Sequence, residues 1–122
     1  MQIFAKVFLA CTLLFSNCFI QPEPVADKQL AEIVGISDGD TITVVFKHDG
    51  EQRKIRLATI DAPEYNQPFG RKAKRNLSDL AYGKNAIIIE KDVDRYKRIV
   101  GEVFVGDVNL NVAQIKDGFA WH

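Results

Sequence analysis

From Ala31 onward the chain alternates apolar and polar positions in short runs broken by Asp and Gly. Ala31 to Ser37 and Thr41 to Lys47 are β-branched and apolar with Asp38-Gly39 between them, and a second turn at His48-Asp49-Gly50 leads into Arg53 to Ile60. Such a pattern predicts three antiparallel strands in a meander. The period then lengthens: Phe69, Ala73, Leu77, Leu80 and Ala81 recur at helical spacing, and Gly83 stops the segment. Arg71, Lys72, Lys74 and Arg75 fill the other positions, so this helix is amphipathic with a basic outer face. Asn85 to Lys91 and Ile99 to Val105 read as two further strands, and Asn109 to Asp117 reads as a short helix closed by Gly118. Five strands, with a helix between the third and fourth and a short helix after the fifth, are a mainly β (α+β) arrangement that matches a five-stranded OB-type barrel.

Ahead of this domain, residues Met1 to Ile20 carry one positive charge, Lys6, then an unbroken apolar run from Val7 to Phe15, with no acidic residue before Glu23. This is the shape of a signal peptide, and the run is too short to cross a bilayer. The expectation is an exported protein, secreted or periplasmic, cleaved near Cys18, with an uncleaved membrane anchor or lipid attachment less favoured. Residues 21–28, with Pro22 and Pro24, read as an extended linker, and 29–122 as the domain. Both cysteines, Cys11 and Cys18, depart with such a leader, so the domain is expected to stand without disulfides.

The 122 residues are 47% apolar and 26% charged, which fits one small globular domain and excludes disordered, collagen-like and multidomain readings. The 16 basic and 16 acidic residues cancel, so any binding of a polyanion must come from a local arrangement of Lys and Arg.

Candidate chemistry lies at turns and strand ends. In Asp38-Gly39-Asp40-Thr41 a turn requirement alone accounts for the tetrapeptide. A second acidic segment, Asp61-Ala62-Pro63-Glu64, ends the third strand. With a hairpin turning around Asp49 to Glu51, facing residues sum to about 99 to 101, which brings Asp40 opposite or diagonal to Asp61 within roughly 5 to 8 Å. Converging carboxylates call for a cation, and hard oxygen donors suit Ca²⁺ or Mg²⁺; two solvated acids at a barrel rim are the alternative. His48 and His122 form no His/Cys cluster, so zinc is not expected. Arg56 lies five residues before Asp61, an odd step, so a bulge or a strand end must intervene for both to serve one site. In Asp94-Arg95-Tyr96-Lys97-Arg98 the guanidinium of Arg98 suits phosphate oxygens and Tyr96 can stack on a base, although a charged turn is also ordinary solvated surface. The basic helix face, Arg71 to Arg75, reads as a solubilising surface.

Taken in order, Asp38-Gly39-Asp40-Thr41, Arg56-Leu57, Ile60-Asp61-Ala62-Pro63-Glu64, Asp94-Arg95-Tyr96-Lys97-Arg98, Asn111 and Gly118-Phe119-Ala120-Trp121 resemble the staphylococcal nuclease (thermonuclease) family from about Leu30 to the last residue. The resemblance implies an OB-fold, Ca²⁺-dependent phosphodiesterase that hydrolyses DNA and RNA and leaves 3′-phosphate ends, with monomer as the default state. It implies Asp40 and Asp61 as metal carboxylates with the Ala62 backbone carbonyl as a further ligand. Arg56, Glu64 and Arg98 then occupy the catalytic positions, and Tyr96 and Arg95 the nucleotide-contacting ones. Lys97 replaces the family's usual Gly, which predicts a non-Gly residue at positive φ, at a cost of about 1 to 2 kcal/mol. The family's C-terminal helix has no expected counterpart here. A non-catalytic OB-fold module that binds single-stranded nucleic acid, or an inactive nuclease fragment, is the competing expectation.

Overall fold

The computed structural model describes residues 28–122. The expected leader and its cleavage site lie outside the described residues, as does the linker apart from Lys28, which is the first residue of a strand. The elements run β1 (Lys28–Asp38), β2 (Thr41–Phe46), β3 (Gln52–Leu57), α1 (Gly70–Ala81), β4 (Asn85–Val93), β5 (Ile99–Val105), β6 (Val108–Asn109) and α2 (Leu110–Lys116). Neighbouring strands follow the order β3-β2-β1-β4-β5, and a parallel pairing of β3 with β5 closes the ring into an OB-fold barrel. The two-residue β6, unforeseen in the sequence, adds to the outer edge of β5.

Alternation explains which face of each strand is inside. Ala31 and Ile33, Ile42 and Val44, Ile55 and Leu57, and Ile88 and Val103 all lie in one buried cluster, which Leu77 of α1 and Leu110 of α2 complete. Helix α2 begins where the Asn109 side chain accepts hydrogen bonds from the Asn111 and Val112 N–H groups, a regular N-cap.

Two expectations about β3 need correction. The β2–β3 hairpin pairs Thr41 with Arg56 and Ile42 with Ile55, so it is offset by at least two residues from the expected register. The reason lies in the turn, which is centred one to two residues earlier than expected: Gly50 N–H donates to the Phe46 carbonyl, and Asp49 Oδ1 accepts from Glu51 N–H at 2.8 Å. The third strand also ends at Leu57, not Ile60. Asp40 therefore meets Leu57, whose N–H donates to its carbonyl at 2.8 Å, and Asp61 does not lie opposite Asp40 on a ladder at all.

Candidate nuclease site

The segment leaving β3 decides the site. Thr59 sits at φ 63°, a conformation that β-branched residues rarely adopt, and it turns the chain back on itself. Asn111, buried on α2, holds this reversal: its Nδ2 donates to the carbonyls of Ala58 at 2.9 Å and Gly101 at 3.2 Å, and its Oδ1 accepts from Val103 N–H. The strand end that the Arg56 to Asp61 spacing requires is thus supplied here. Beyond it, the Asp61 backbone forms a two-bond bridge with Trp121, at 2.9 and 2.8 Å.

Arg56 reaches across the reversal. Its Nη1 donates to the carbonyls of Leu57 at 3.0 Å and Ile60 at 2.8 Å, while Nη2 lies 2.5 Å from Asp61 Oδ1 and 3.4 Å from Asp40 Oδ2. The two carboxylates do converge, then, through one guanidinium and a turn instead of through strand register. They differ in solvation: the Asp40 side chain is 11% exposed and that of Asp61 is 65% exposed. Asp40 is further tied by the Thr41 hydroxyl to Oδ1 at 2.9 Å and by Ala62 N–H to Oδ2 at 3.0 Å. Among the described residues no three His, Cys, Asp or Glu side chains gather into a metal cluster. The donor set available to a cation is two carboxylates plus the Ala62 carbonyl, which accepts no hydrogen bond among the described residues. Two carboxylates answered by one guanidinium leave a net negative charge, and every donor is a hard oxygen, so these residues fit Ca²⁺ or Mg²⁺.

Arg98 lies on the other wall of the same open cleft, about 320 Å³ in volume and also lined by Arg56, Asp61, Asp94 and His122. The loop that carries Arg98 is built by Asp94. Its Oδ1 accepts from the N–H groups of Tyr96 and Arg98, both at 2.9 Å, and its Oδ2 from Arg98 Nε at 2.8 Å. Burial pushes the Asp94 carboxyl up, but these hydrogen bonds and the Arg98 charge outweigh it and hold the group below its ordinary value. Lys97 completes the turn at φ 64°, as its replacement of Gly predicts. With Nε engaged by Asp94, the two terminal nitrogens of Arg98 make no hydrogen bond among the described residues and are free to donate to a phosphate. Tyr96 stands exposed beside them, with the Arg95 and Arg98 guanidinium carbons 5.0 and 5.3 Å from its ring centre.

Glu64 is not part of the lining of this cleft. It follows Asp61 on an exposed loop, and its carboxylate has no partner among the described residues. Its backbone, by contrast, is fixed: the N–H donates to Gln67 Oε1 and the carbonyl accepts from Gln67 N–H, each at 2.8 Å. A Cβ at Gly70 would come within 1.8 Å of the Glu64 carbonyl oxygen, so α1 starts hard against it.

One functional neighbour escaped the sequence reading. Gln114 is completely buried; its Nε2 donates to the Gly39 carbonyl at 2.7 Å and the Ala73 carbonyl at 3.1 Å, and its Oε1 accepts from Asn76 Nδ2 at 2.7 Å. It fastens the Asp38-Gly39-Asp40 turn to both helices. A signal existed: Gln114 stands four residues after Leu110, on the inward face of a short helix where an apolar residue is expected.

Known proteins share much of this sequence. Residues 54–122 match the family described as staphylococcal nuclease homologue. An uncharacterized endonuclease of Haemophilus influenzae is 45% identical over 95 residues, covering 78% of this chain and 53% of the relative. A micrococcal nuclease of Shigella flexneri is 39% identical over 99 residues, covering 74% and 56% respectively. A probable staphylococcal-like nuclease of rice, CAN3, is 31% identical over 96 residues, covering 79% of this chain and 24% of its own length. The chain spans about half the length of the two bacterial relatives. Since the match takes in more than half of its residues and every motif from Arg56 to Trp121, the chain belongs to the staphylococcal nuclease homologue family.

Proposed function

We propose that the domain is a Ca²⁺-dependent nuclease that hydrolyses phosphodiester bonds of DNA and RNA and leaves 3′-phosphate ends. The observation that carries this reading is the convergence of Asp40 and Asp61 on Arg56 at the edge of a cleft whose other wall is Arg98. Asp40, Asp61 and the Ala62 carbonyl would hold the cation. When bound, the cation neutralises the phosphate and stabilises charge as it develops on the reacting oxygens.

The chain's own residues account for the rest. Arg98, with two free terminal nitrogens, donates to the scissile phosphate in the bidentate manner of a guanidinium. Arg56 spends its donors on Leu57, Ile60 and Asp61, so its first role is to hold the carboxylates in place and add positive charge to the cleft wall. Glu64, unpaired on a fixed backbone, takes the proton of the attacking water. The water oxygen bonds to phosphorus, the bond from phosphorus to the 5′ oxygen breaks, the departing oxygen takes a proton from solvent water to become the 5′-hydroxyl, and the charge that grows on the phosphoryl oxygens falls to Arg98 and Arg56. Tyr96, with Arg95 beside it, offers a stacking plate for the nucleotide. Export of the protein belongs to the same proposal, supported by the basic and then apolar pattern of residues 1–20.

The test is cleavage of single-stranded DNA and of RNA with Ca²⁺ and with excess chelator. Cutting is expected only with the cation. Turnover should fall by about 10³ to 10⁵ in Arg98→Ala and about 10² to 10⁴ in Glu64→Gln. A variant that retains near wild-type turnover removes its residue from the mechanism. A folded wild-type chain that binds strands in both conditions and never cuts them returns the protein to the class of non-catalytic binding modules.

A further inference from the structure

The loop between Glu64 and α1 presents two large aromatic rings to solvent, Tyr65 at 46% and Phe69 at 69% exposure. The loop is nonetheless firmly held. Tyr65 N–H donates to Asp38 Oδ1 at 3.0 Å, and Gly70 N–H donates to the Gln67 carbonyl at 2.9 Å. Phe69 is kept at φ 64°, a conformation unfavourable for any residue with a Cβ, and no burial of its ring compensates for it.

Both rings are flanked by cations. Lys74 Nζ lies 4.9 Å and the Arg71 guanidinium carbon 5.4 Å from the Tyr65 ring centre, and Lys72 Nζ lies 5.6 Å from that of Phe69. Arg71 and Lys72 stand in the first turn of α1, which contains no acidic residue, although the positive end of a helix favours acids there. Neither they nor Lys74 form a salt bridge among the described residues. Tyr65, Phe69, Arg71 and Lys72 line one open cleft of about 640 Å³. The composition repeats that of Tyr96 with Arg95 and Arg98 on the Arg98 side of the site, an aromatic plate with guanidinium or ammonium groups at its face.

We propose that Tyr65 and Phe69, with Arg71, Lys72 and Lys74, form a second nucleotide subsite that takes single-stranded nucleic acid running outward past Glu64. Bases stack on the two rings and phosphates meet the three cations. The direction of the strand rests on the nuclease reading of the central site; the binding of a strand does not. The basic face of α1, read from sequence as a solubilising surface, becomes a strand track where it borders these rings.

The test uses the full chain with chelator present, so that binding is measured without cutting, and fluorescein-labelled strands of about 3 and about 12 nucleotides, the latter within the range one OB-fold covers. The double variant Tyr65→Ser, Phe69→Ser is expected to raise Kd for the longer strand tenfold or more, and to raise it much less for the shorter one. Both rings are exposed, and circular dichroism checks the fold. As an independent variant, Arg71→Gln with Lys72→Gln should flatten the dependence of log Kd on log salt for the longer strand by about 1.4. Equal losses at both lengths, or an unchanged salt slope, overturn the subsite. Displacement of the longer strand by poly-glutamate as readily as by unlabelled strand also overturns it, in favour of an acidic-protein partner. Cleavage with Ca²⁺ is scored separately: a wild-type chain that binds as expected but does not cut loses the nuclease reading and keeps the subsite, and the reverse result does the opposite.

Discussion

Replacing Gln114 with Met keeps the volume of a fully buried side chain and removes its hydrogen bonds, so the variant isolates what those bonds contribute. Three are lost. Asn76 keeps its other bond, to Asp117 Oδ2 at 2.8 Å, and the Ala73 carbonyl sits within α1, where the helical ladder serves it. The Gly39 carbonyl is different, because Gln114 Nε2 is its sole hydrogen-bond donor among the described residues. A buried carbonyl left without a partner costs about 1 to 3 kcal/mol, so a net loss near 2 kcal/mol is expected. For a domain of this size that lowers Tm by roughly 8 to 16 °C. Urea denaturation followed by circular dichroism reads the free energy, and a thermal scan reads Tm. Because Gly39 immediately precedes Asp40, the Ca²⁺ concentration for half-maximal cutting should also rise several-fold, with a smaller change in kcat at saturating Ca²⁺. A stability loss under about 0.5 kcal/mol refutes the reasoning, since it shows that water reaches the Gly39 carbonyl as well as Gln114 does.

Three further outcomes are expected. A Cβ at Gly39 would stand 2.6 Å from the Ala73 Cβ and 2.9 Å from that of Ala62, so Gly39→Ala should cost about 1 to 3 kcal/mol; adding Ala73→Gly should cost less than the two single losses together by about 1 kcal/mol, and additivity in a urea-denaturation cycle contradicts the contact. Lys97→Gly removes about 1 to 2 kcal/mol of left-handed strain against about 0.5 to 1 kcal/mol of added chain entropy, so the urea midpoint should rise slightly, and a fall contradicts it. Against the upward push of burial, hydrogen bonds from Arg98 and Tyr96 hold the Asp94 carboxyl below its ordinary value in the folded protein, so its contribution to stability is present above the unfolded value and lost as pH falls through the folded one; the stability difference between wild type and Asp94→Asn should therefore shrink on acidification below about pH 4, and a constant difference from pH 6 to pH 2.5 contradicts it.

The barrel was legible in the sequence because its strands alternate and its stops are chemical. Gly83 and Gly118 end segments whose apolar spacing is helical, and Ile42, Val44, Ile55 and Leu57 occupy the inward positions that period two assigns them. Register was not legible, since it depends on how many residues a turn consumes. The Asp49 side chain closes a turn one or two residues earlier than a reading from composition places it, and each residue of error moves a pairing by two. The two-residue β6 has no periodicity to read.

Asp40, Asp61 and Arg56 come together beside the cleft that Arg98 lines, yet their assembly follows a route that strand geometry does not describe. Asp40 and Asp61 meet because β3 stops early, Thr59 accepts a left-handed conformation and Asn111 of a distant helix clamps the reversed carbonyl, and none of these is a property of the acidic motifs themselves. Arg56 shows the same dependence. On a continued strand it faces away from Asp61; with the strand ended at Leu57 it can donate to the Ile60 carbonyl and reach both carboxylates. The residues that make this possible, Asn111 and Gln114, share one mark that a sequence does carry: each is an amide on the inward face of a seven-residue helix, where packing alone calls for an aliphatic side chain. An amide buried there needs carbonyls to donate to, and the carbonyls it finds are those of Ala58 and Gly39, which lie beside the two turns that deliver Asp61 and Asp40. Polar side chains at apolar positions of α2 therefore point to the turns that carry Asp61 and Asp40 more directly than the acidic motifs point to each other.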